Sequence, residues 1–110
     1  MHAFAVLADP VRRSIVELLA QGEHASGEIV ETVGKDFDIG QSAVSQHLKV
    51  LRDNGFASVT VRGAQRIYEL DAAPLSELDQ WLSPFRQFWG PKLDALATEV
   101  ARGKRRRKSR

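Results

Sequence analysis

A chain of 110 residues is long enough for one domain with a modest core, and it is too short for a catalytic domain joined to a separate regulatory one. Hydrophobic residues make up 43% of the sequence, which favours a folded domain, while the complete lack of Cys excludes disulfides, thiolate metal ligands and Cys nucleophiles. The formal net charge of +2 is unevenly distributed: seven of the 16 Lys and Arg lie in residues 102–110, which leaves nine against 14 acidic residues, or −5, in residues 1–101.

The N-terminal segment predicts a cytoplasmic protein. Residues 1–9 lack the basic start of a signal peptide, and Asp9-Pro10 interrupts their apolar character early. No apolar run in the sequence has the length needed to cross a bilayer. We therefore expect a protein of the cytoplasm that has no membrane partner.

Three helices are predicted before residue 35. Apolar residues in segment 4–7 indicate a short first helix. Asp9 is a favourable N-cap and Pro10 a favourable first residue for a second helix, which we expect to end at Gln21-Gly22. Ser26 predicts the start of a third helix that ends at Gly34, and residues 35–40 are then predicted to form a loop.

The most informative segment is residues 41–52, which predict a fourth helix with one apolar and one polar side. Val44, Leu48 and Leu51 recur at helical spacing and predict the side that packs on a core. The other side carries short polar and basic groups that suit base edges and phosphates in a DNA groove. Its members are Ser42, Gln46 and Lys49, flanked by Ser45 and Arg52.

We expect the helix to run from Ser42 to Asn54 and to be followed by Gly55, which can take a left-handed conformation. Taken alone, the segment fits an ordinary surface helix with a solvated polar side equally well. Together with the preceding helix it predicts a helix-turn-helix.

Two strands follow and predict a hairpin. Residues 57–61 alternate between apolar and polar side chains, and residues 65–70 form the returning strand. Gly63-Ala64 fits a two-residue turn that needs a positive φ at its first position. Arg62 and Arg66 flank the turn, so we interpret the hairpin as a wing that contacts DNA phosphates.

A continuous apolar seam runs through the C-terminal segment from Pro74 onward. Its members are Leu78, Leu82, Phe85, Trp89, Leu93, Leu96 and Val100. Two Trp and two Phe within nine residues exceed what one small core can enclose, so we expect a homodimer, with internal packing as the alternative. Pro84 and Gly90-Pro91 predict breaks in the helix. The predicted dimer interface is Phe4, Leu78, Leu82, Phe85, Trp89, Leu93 and Leu96.

Residues 102–110 predict a disordered basic tail, because a block of like charge with almost no apolar residues cannot pack. Its role is either an auxiliary contact with DNA or simple solubility. Residues 1–101 are accordingly predicted to form one DNA-binding and dimerisation domain.

The chain resembles the ArsR-type winged-helix transcriptional repressors over nearly its whole length. The resemblance is carried by Ala8-Asp9-Pro10-Val11-Arg12-Arg13-Ser14-Ile15-Val16-Glu17-Leu18-Leu19, by Gln41-Ser42-Ala43-Val44-Ser45-Gln46-His47-Leu48-Lys49-Val50-Leu51-Arg52-Asp53-Asn54-Gly55, and by Arg62-Gly63 with Arg66-Ile67-Tyr68. Trp81 and Phe88-Trp89 are similar to a metal-independent branch of that family. The resemblance implies a mostly helical, homodimeric winged helix-turn-helix, with element order α-α-α-α-β-β-α, that binds a near-palindromic operator and commonly represses its own promoter.

The resemblance also implies which residues contact DNA. The positions that match those facing the bases are Gln41, Ser42, Ser45, Gln46 and His47, and the matching wing positions are Arg62 and Arg66. The residues expected to hold phosphates are Lys49, Arg52, Arg62 and Arg66. His47 lies nearer the apolar stripe, so it either orients the helix or bonds a phosphate. A longer turn at residues 35–38 is a departure from the family pattern.

Metal sensing, common in that family, is not expected here, and we expect no cofactor. The chain has no Cys, and its three histidines, His2, His24 and His47, lie in different elements. The sequence does not identify a small-molecule effector.

The leading functional hypothesis is a sequence-specific DNA-binding repressor. The alternatives are a dimeric winged-helix module that binds protein, favoured by the acidic body, and a nonspecific DNA-packaging protein that uses its basic tail. An enzyme is not expected, because the serines lack a nearby acid-oriented His and no Gly-rich loop could cradle a phosphate.

Overall fold

The chain divides into two units, residues 1–78 and 79–110, and the computed structural model describes residues 2–89. In chain order the elements are α1 (Ala3–Leu7), α2 (Pro10–Ala20), β1 (His24–Ala25), α3 (Ser26–Phe37), α4 (Gln41–Asp53), β2 (Ala57–Arg62), β3 (Gln65–Leu70) and α5 (Ala73–Leu82). The mostly helical fold with a hairpin is as predicted, and the sheet has one strand more than expected.

The predicted start of α2 is confirmed by the hydrogen bonds of Asp9. Its Oδ1 accepts from the backbone N–H of Val11 at 2.8 Å and of Arg12 at 3.2 Å. Pro10 follows as the first helical residue, where its missing N–H costs nothing. The helix ends at Ala20, one residue before the predicted boundary.

Helix α3 is longer than predicted, because Gly34 does not end it. The helix continues to Phe37, and Asp38 ends it in a left-handed conformation with φ 52°. A Cβ at position 34 would lie only 3.0 Å from the backbone oxygen of Ile39. Gly34 therefore allows a close approach of the chain inside the motif, and the expected long loop shortens to residues 38–40.

Helix α4 packs on the core through the predicted stripe, since Val44, Leu48 and Leu51 are all buried. It begins at Gln41 and ends at Asp53, each one residue earlier than predicted. Gly40 is its N-cap, without a side-chain hydrogen bond. Gly55 has φ 78°, which confirms the predicted left-handed residue after the helix.

The sheet has three antiparallel strands in the order β1-β3-β2. Gly63 has φ 59° at the first central position of the hairpin turn, as a two-residue connection between β2 and β3 requires. Strand β1 was not predicted, because two residues are too few to show an alternating pattern. It pairs His24 with Tyr68 and ties the start of α3 to the hairpin.

The core of the first unit lies between α1–α4 and the sheet. Its fully buried side chains are Phe56, Ile15, Ile29, Leu48, Leu51, Val6, Val33 and Val44. No polar or charged residue is buried among residues 2–89. Over the same residues, no helix combines the length and the apolar character that a membrane span requires.

The C-terminal seam is described only in part. Leu75 and Leu78 are half-buried against the core of the first unit. Pro84 changes the helix into a 3₁₀ turn at Ser83–Phe85, which confirms the first predicted break. Leu93, Leu96, Val100, the predicted break near Pro91 and the basic tail lie outside the described residues.

In the second unit, aromatic side chains lie within and beside the seam. The rings of Trp81 and Phe85 are in contact at a tilt of 35°, with centroids 4.8 Å apart, and Arg86 pairs with Asp79. Phe88 is 66% exposed.

Candidate nucleic-acid interface

The polar side of α4 faces solvent. Its exposed members are Gln41, Ser42, Ser45, Gln46, Lys49 and Arg52. Val44, Leu48 and Leu51 on the opposite stripe are buried, so the polar side is the one that faces outward. The surface therefore presents amide and hydroxyl groups along one turn and cations along the next.

His47 lies away from this surface. Its ring is half-buried, with Nδ1 at 3.4 Å from a guanidinium nitrogen of Arg12 and 3.9 Å from Oδ1 of Asp9. The structure thus separates His47 from the other predicted base contacts and places it against the start of α2.

A cleft of about 360 Å³ opens between α4 and strand β3. The side chains that line it are Ser26, Gln41, Ser45, Leu48, Lys49, Arg52, Arg66 and Tyr68. Three are cations and none is acidic, although residues 1–101 carry −5. The cleft brings together three of the four predicted phosphate contacts beside two predicted base contacts, Gln41 and Ser45.

Ser26 and Tyr68 line the cleft but were not predicted as site residues. Tyr68 could have been found from the alternation of β3, because it lies two residues from Arg66 and so on the same face. Ser26 offers no such signal, since α3 brings it to the cleft from a distant part of the sequence.

The two wing arginines lie on opposite faces of the hairpin. In the register, Arg62 pairs with Gln65 while Arg66 pairs with Val61, and paired residues share a face. Arg66 therefore faces the cleft with Tyr68, and Arg62 lies on the other face.

Arg62 forms a bidentate ion pair with Glu23, which lies just before β1. Its two terminal nitrogens donate to the carboxylate oxygens at 2.5 and 3.0 Å. These hydrogen bonds hold the pKa of Glu23 below its ordinary value and raise the pKa of Arg62. The predicted phosphate contact is thus occupied by an internal carboxylate.

The remaining histidines serve local structure. His2 Nδ1 accepts the N–H of Phe4 at 3.2 Å and caps α1. His24 Nδ1 lies 2.8 Å from the backbone oxygen of Gly22. Within residues 2–89, no three His, Asp or Glu side chains are grouped closely enough to hold a metal ion.

Comparison with known proteins identifies the family. The model of the bacterial regulatory proteins of the arsR family matches residues 9–59. The chain is 39% identical over 96 residues to the HTH-type transcriptional regulator Rv2034 of Mycobacterium tuberculosis, covering 87% of this chain and 83% of that protein. The chain belongs to the ArsR family. Membership bears out the expectation of a transcriptional regulator that is not an enzyme.

Two further relatives extend the ArsR assignment. The chain is 30% identical over 84 residues to the transcriptional repressor SdpR of Bacillus subtilis, covering 76% of this chain and 89% of that one. A solved structure of Mb0332 from Mycobacterium bovis, described as a homodimeric winged helix-turn-helix DNA-binding domain, superposes with a TM-score of 0.58 at 28% identity. It covers 74% of this chain and 75% of the other. In this ArsR-family chain, α3 and α4 form the helix-turn-helix and β2-β3 forms the wing.

Proposed function

We propose that this ArsR-family chain is a homodimeric repressor that binds a near-palindromic DNA operator, including one in its own promoter, in the cytoplasm. The observation that carries the proposal is the cleft between α4 and β3. It gathers Lys49, Arg52 and Arg66, without an acid, beside the exposed polar side of α4. Such a concentration of positive charge on a net negative body favours the backbone of a nucleic acid.

The contacts divide into two sets. Ser42, Ser45, Gln46 and Gln41 carry short polar groups that suit the edges of bases in the major groove. The cations that line the cleft suit the phosphates on one side of that groove, and they fix the register of the helix without selecting a sequence. Arg62 joins them when its pair with Glu23 opens.

Dimerisation is supported by the exposed aromatic surface of the second unit and by the homodimeric relative from Mycobacterium bovis. The proposed interface comprises Phe4, Leu78, Leu82, Phe85, Trp89, Leu93 and Leu96. A two-fold axis would place two copies of α4 in successive major grooves, about 34 Å apart.

Metal-independent regulation is supported by the donor atoms that the chain offers. The whole sequence has no Cys, and His2, His24 and His47 lie in separate elements, each engaged in a contact within the protein. Soft thiolate sites are therefore impossible, and an imidazole site would need ligands from different parts of the fold.

The test separates base contacts from phosphate contacts on a duplex that the wild-type protein selects from a randomised pool. Gln46→Ala should weaken binding to that duplex by about 1–3 kcal/mol and alter the preferred base. Lys49→Ala should weaken all duplexes alike and reduce the salt slope by about 1. Unchanged affinity and preference in Gln46→Ala would contradict the proposed base contact.

A further inference from the structure

Arg12 lies where three helices meet. It belongs to α2, and its Nε donates to the backbone oxygen of Val6 in α1 at 2.7 Å, while Nη2 donates to that of Ala5 at 3.3 Å. Its Nη1 lies 3.4 Å from His47 Nδ1 in α4. Only 15% of the Arg12 side chain is exposed, so α1, α2 and α4 hold the guanidinium in one place.

The chemistry of the guanidinium sets the direction of this hydrogen bond. A guanidinium has five N–H donors and no acceptor, so Arg12 donates and His47 Nδ1 accepts, through the tautomer that carries the ring proton on Nε2. The carboxylate of Asp9 lies 3.9 Å from both partners, through Oδ2 to Arg12 and Oδ1 to His47. Asp9 also bonds the backbone of Val11 and Arg12, which keeps the group at the first turn of α2.

The apolar stripe of α4 does not fix its rotation by itself. Burial of Val44, Leu48 and Leu51 is non-directional, and side chains in one line allow a helix to roll about its axis. Within residues 2–89, the Arg12–His47 contact is the one hydrogen bond between a side chain of α4 and another helix. A directional bond beside the stripe resists this roll.

We propose that Arg12 is a positioning residue for DNA recognition, which fixes the rotation of α4 through His47 and so aims Ser45 and Gln46 at the bases. The inference rests on the proposed function, since it concerns the same helix. Arg12 itself has no contact with a base in the proposed complex. Its loss changes the selection between sequences more than it changes the charge-driven affinity for DNA.

The neighbouring Arg13 provides a matched control. Its Nη1 donates to the backbone oxygens of Leu7 at 2.8 Å and Ala8 at 3.1 Å, at the end of α1, and within residues 2–89 it donates to no atom of α4. Arg12→Gln and Arg13→Gln thus remove the same charge and the same kind of bond from one helix. Only the first removes the link to His47.

The readout is the ratio of affinities for two duplexes of equal length and composition. One is the sequence that the wild-type protein selects from a randomised pool, and the other is a scrambled version of it. We expect both variants to lower the melting temperature, whereas only Arg12→Gln lowers the ratio, by about tenfold. Equal ratios for Arg12→Gln and Arg13→Gln would overturn the positioning role.

A second pair of variants keeps Arg12 in place, which guards against a poorly folded Arg12→Gln. In His47→Asn, the side chain keeps an acceptor, Oδ1, bonded to Cγ as Nδ1 is in His. In His47→Leu it has no acceptor, and both variants lack Nε2. His47→Asn should therefore keep a ratio several-fold above that of His47→Leu. Equal ratios would overturn the inference, while a wild-type protein that selects no sequence would overturn the proposed function instead.

Discussion

At the scale of single residues, we expect Glu23 to compete with DNA phosphates for Arg62 of the wing. Its carboxylate occupies both terminal nitrogens of Arg62, as a phosphate would. The side chain of Glu23 is 41% exposed and that of Arg62 is 54% exposed. Ion pairs in contact with solvent contribute little to the free energy of folding. We therefore expect the pair to open when a phosphate approaches, so that Glu23 lowers the affinity for DNA without preventing binding.

We expect Glu23→Gln to bind any duplex a few-fold more tightly, with a salt slope steeper by about 1, because Arg62 becomes free to neutralise one more phosphate. Glu17→Gln is the matched control, since Glu17 is exposed and forms no ion pair within the described part of the chain. Titrations at several salt concentrations measure both values. The same slope in the two variants would show that Glu23 acts only through net charge.

The pH dependence of this pair has a defined sign. The pKa of Glu23 lies below its ordinary value because Arg62 donates to it, so the pair stabilises the fold above the ordinary Glu pKa of 4.5. Its contribution is lost as the pH falls through the lower folded-state value. Neutral solutions therefore keep Arg62 engaged, and acid releases it.

Asp9 is the second residue whose change has a predictable cost. Burial raises the pKa of Asp9, but the N–H groups of Arg12 and Val11 and the nearby charges of His47, when protonated, and Arg12 outweigh it, so the net shift is downward. Asp9→Ala removes the N-cap of α2 and should lower the free energy of unfolding by about 1–2 kcal/mol. Asp9→Asn keeps a cap oxygen and should cost less.

Urea denaturation measures this difference. At pH 7 the free energy of unfolding should be highest for the wild type, lower for Asp9→Asn and lowest for Asp9→Ala. Because the pKa of Asp9 is depressed, its advantage is present above the ordinary Asp pKa of 3.8 and fades as the pH falls through the folded-state value. A wild type that stays ahead of Asp9→Ala by an unchanged margin in strong acid would contradict the assigned role of the carboxylate.

At the scale of elements, the sequence predicted those features that depend on residues close together in the chain. The Asp9-Pro10 start of α2, the buried stripe of α4 and the Gly63 turn each follow from residues a few positions apart. The prediction at Gly34 was wrong because a Gly is needed there for the close approach of Ile39 and not to end the helix. Sequence patterns do not distinguish these two uses of Gly.

The wing shows how much more could have been predicted. A two-residue turn at Gly63-Ala64 implies that Arg62 pairs with Gln65, and the alternation of side chains then puts Arg62 and Arg66 on opposite faces. The partner of Arg62 could not be predicted this way. Glu23 is 39 residues distant in the sequence, and His47 is 35 residues from Arg12. The sheet brings the first pair together and the packing of the helices brings the second, and neither arrangement follows from local sequence.

At the scale of the whole molecule, we expect the charge distribution to orient the protein on DNA. Residues 1–101 carry −5, so their net charge opposes binding to a duplex, while the cleft lined by Lys49, Arg52 and Arg66 is expected to attract it. The predicted basic tail adds an attraction without a fixed direction. Orientation therefore depends on the cleft, and overall affinity depends on both.

In the proposed complex, two copies of α4 contact one duplex symmetrically. Selection from a randomised pool, followed by sedimentation of the protein on the selected duplex, measures this arrangement. We expect two protomers on one duplex with inverted half-sites whose centres lie about 10 base pairs apart. A single half-site bound by one protomer, or a pool that stays random, would contradict it.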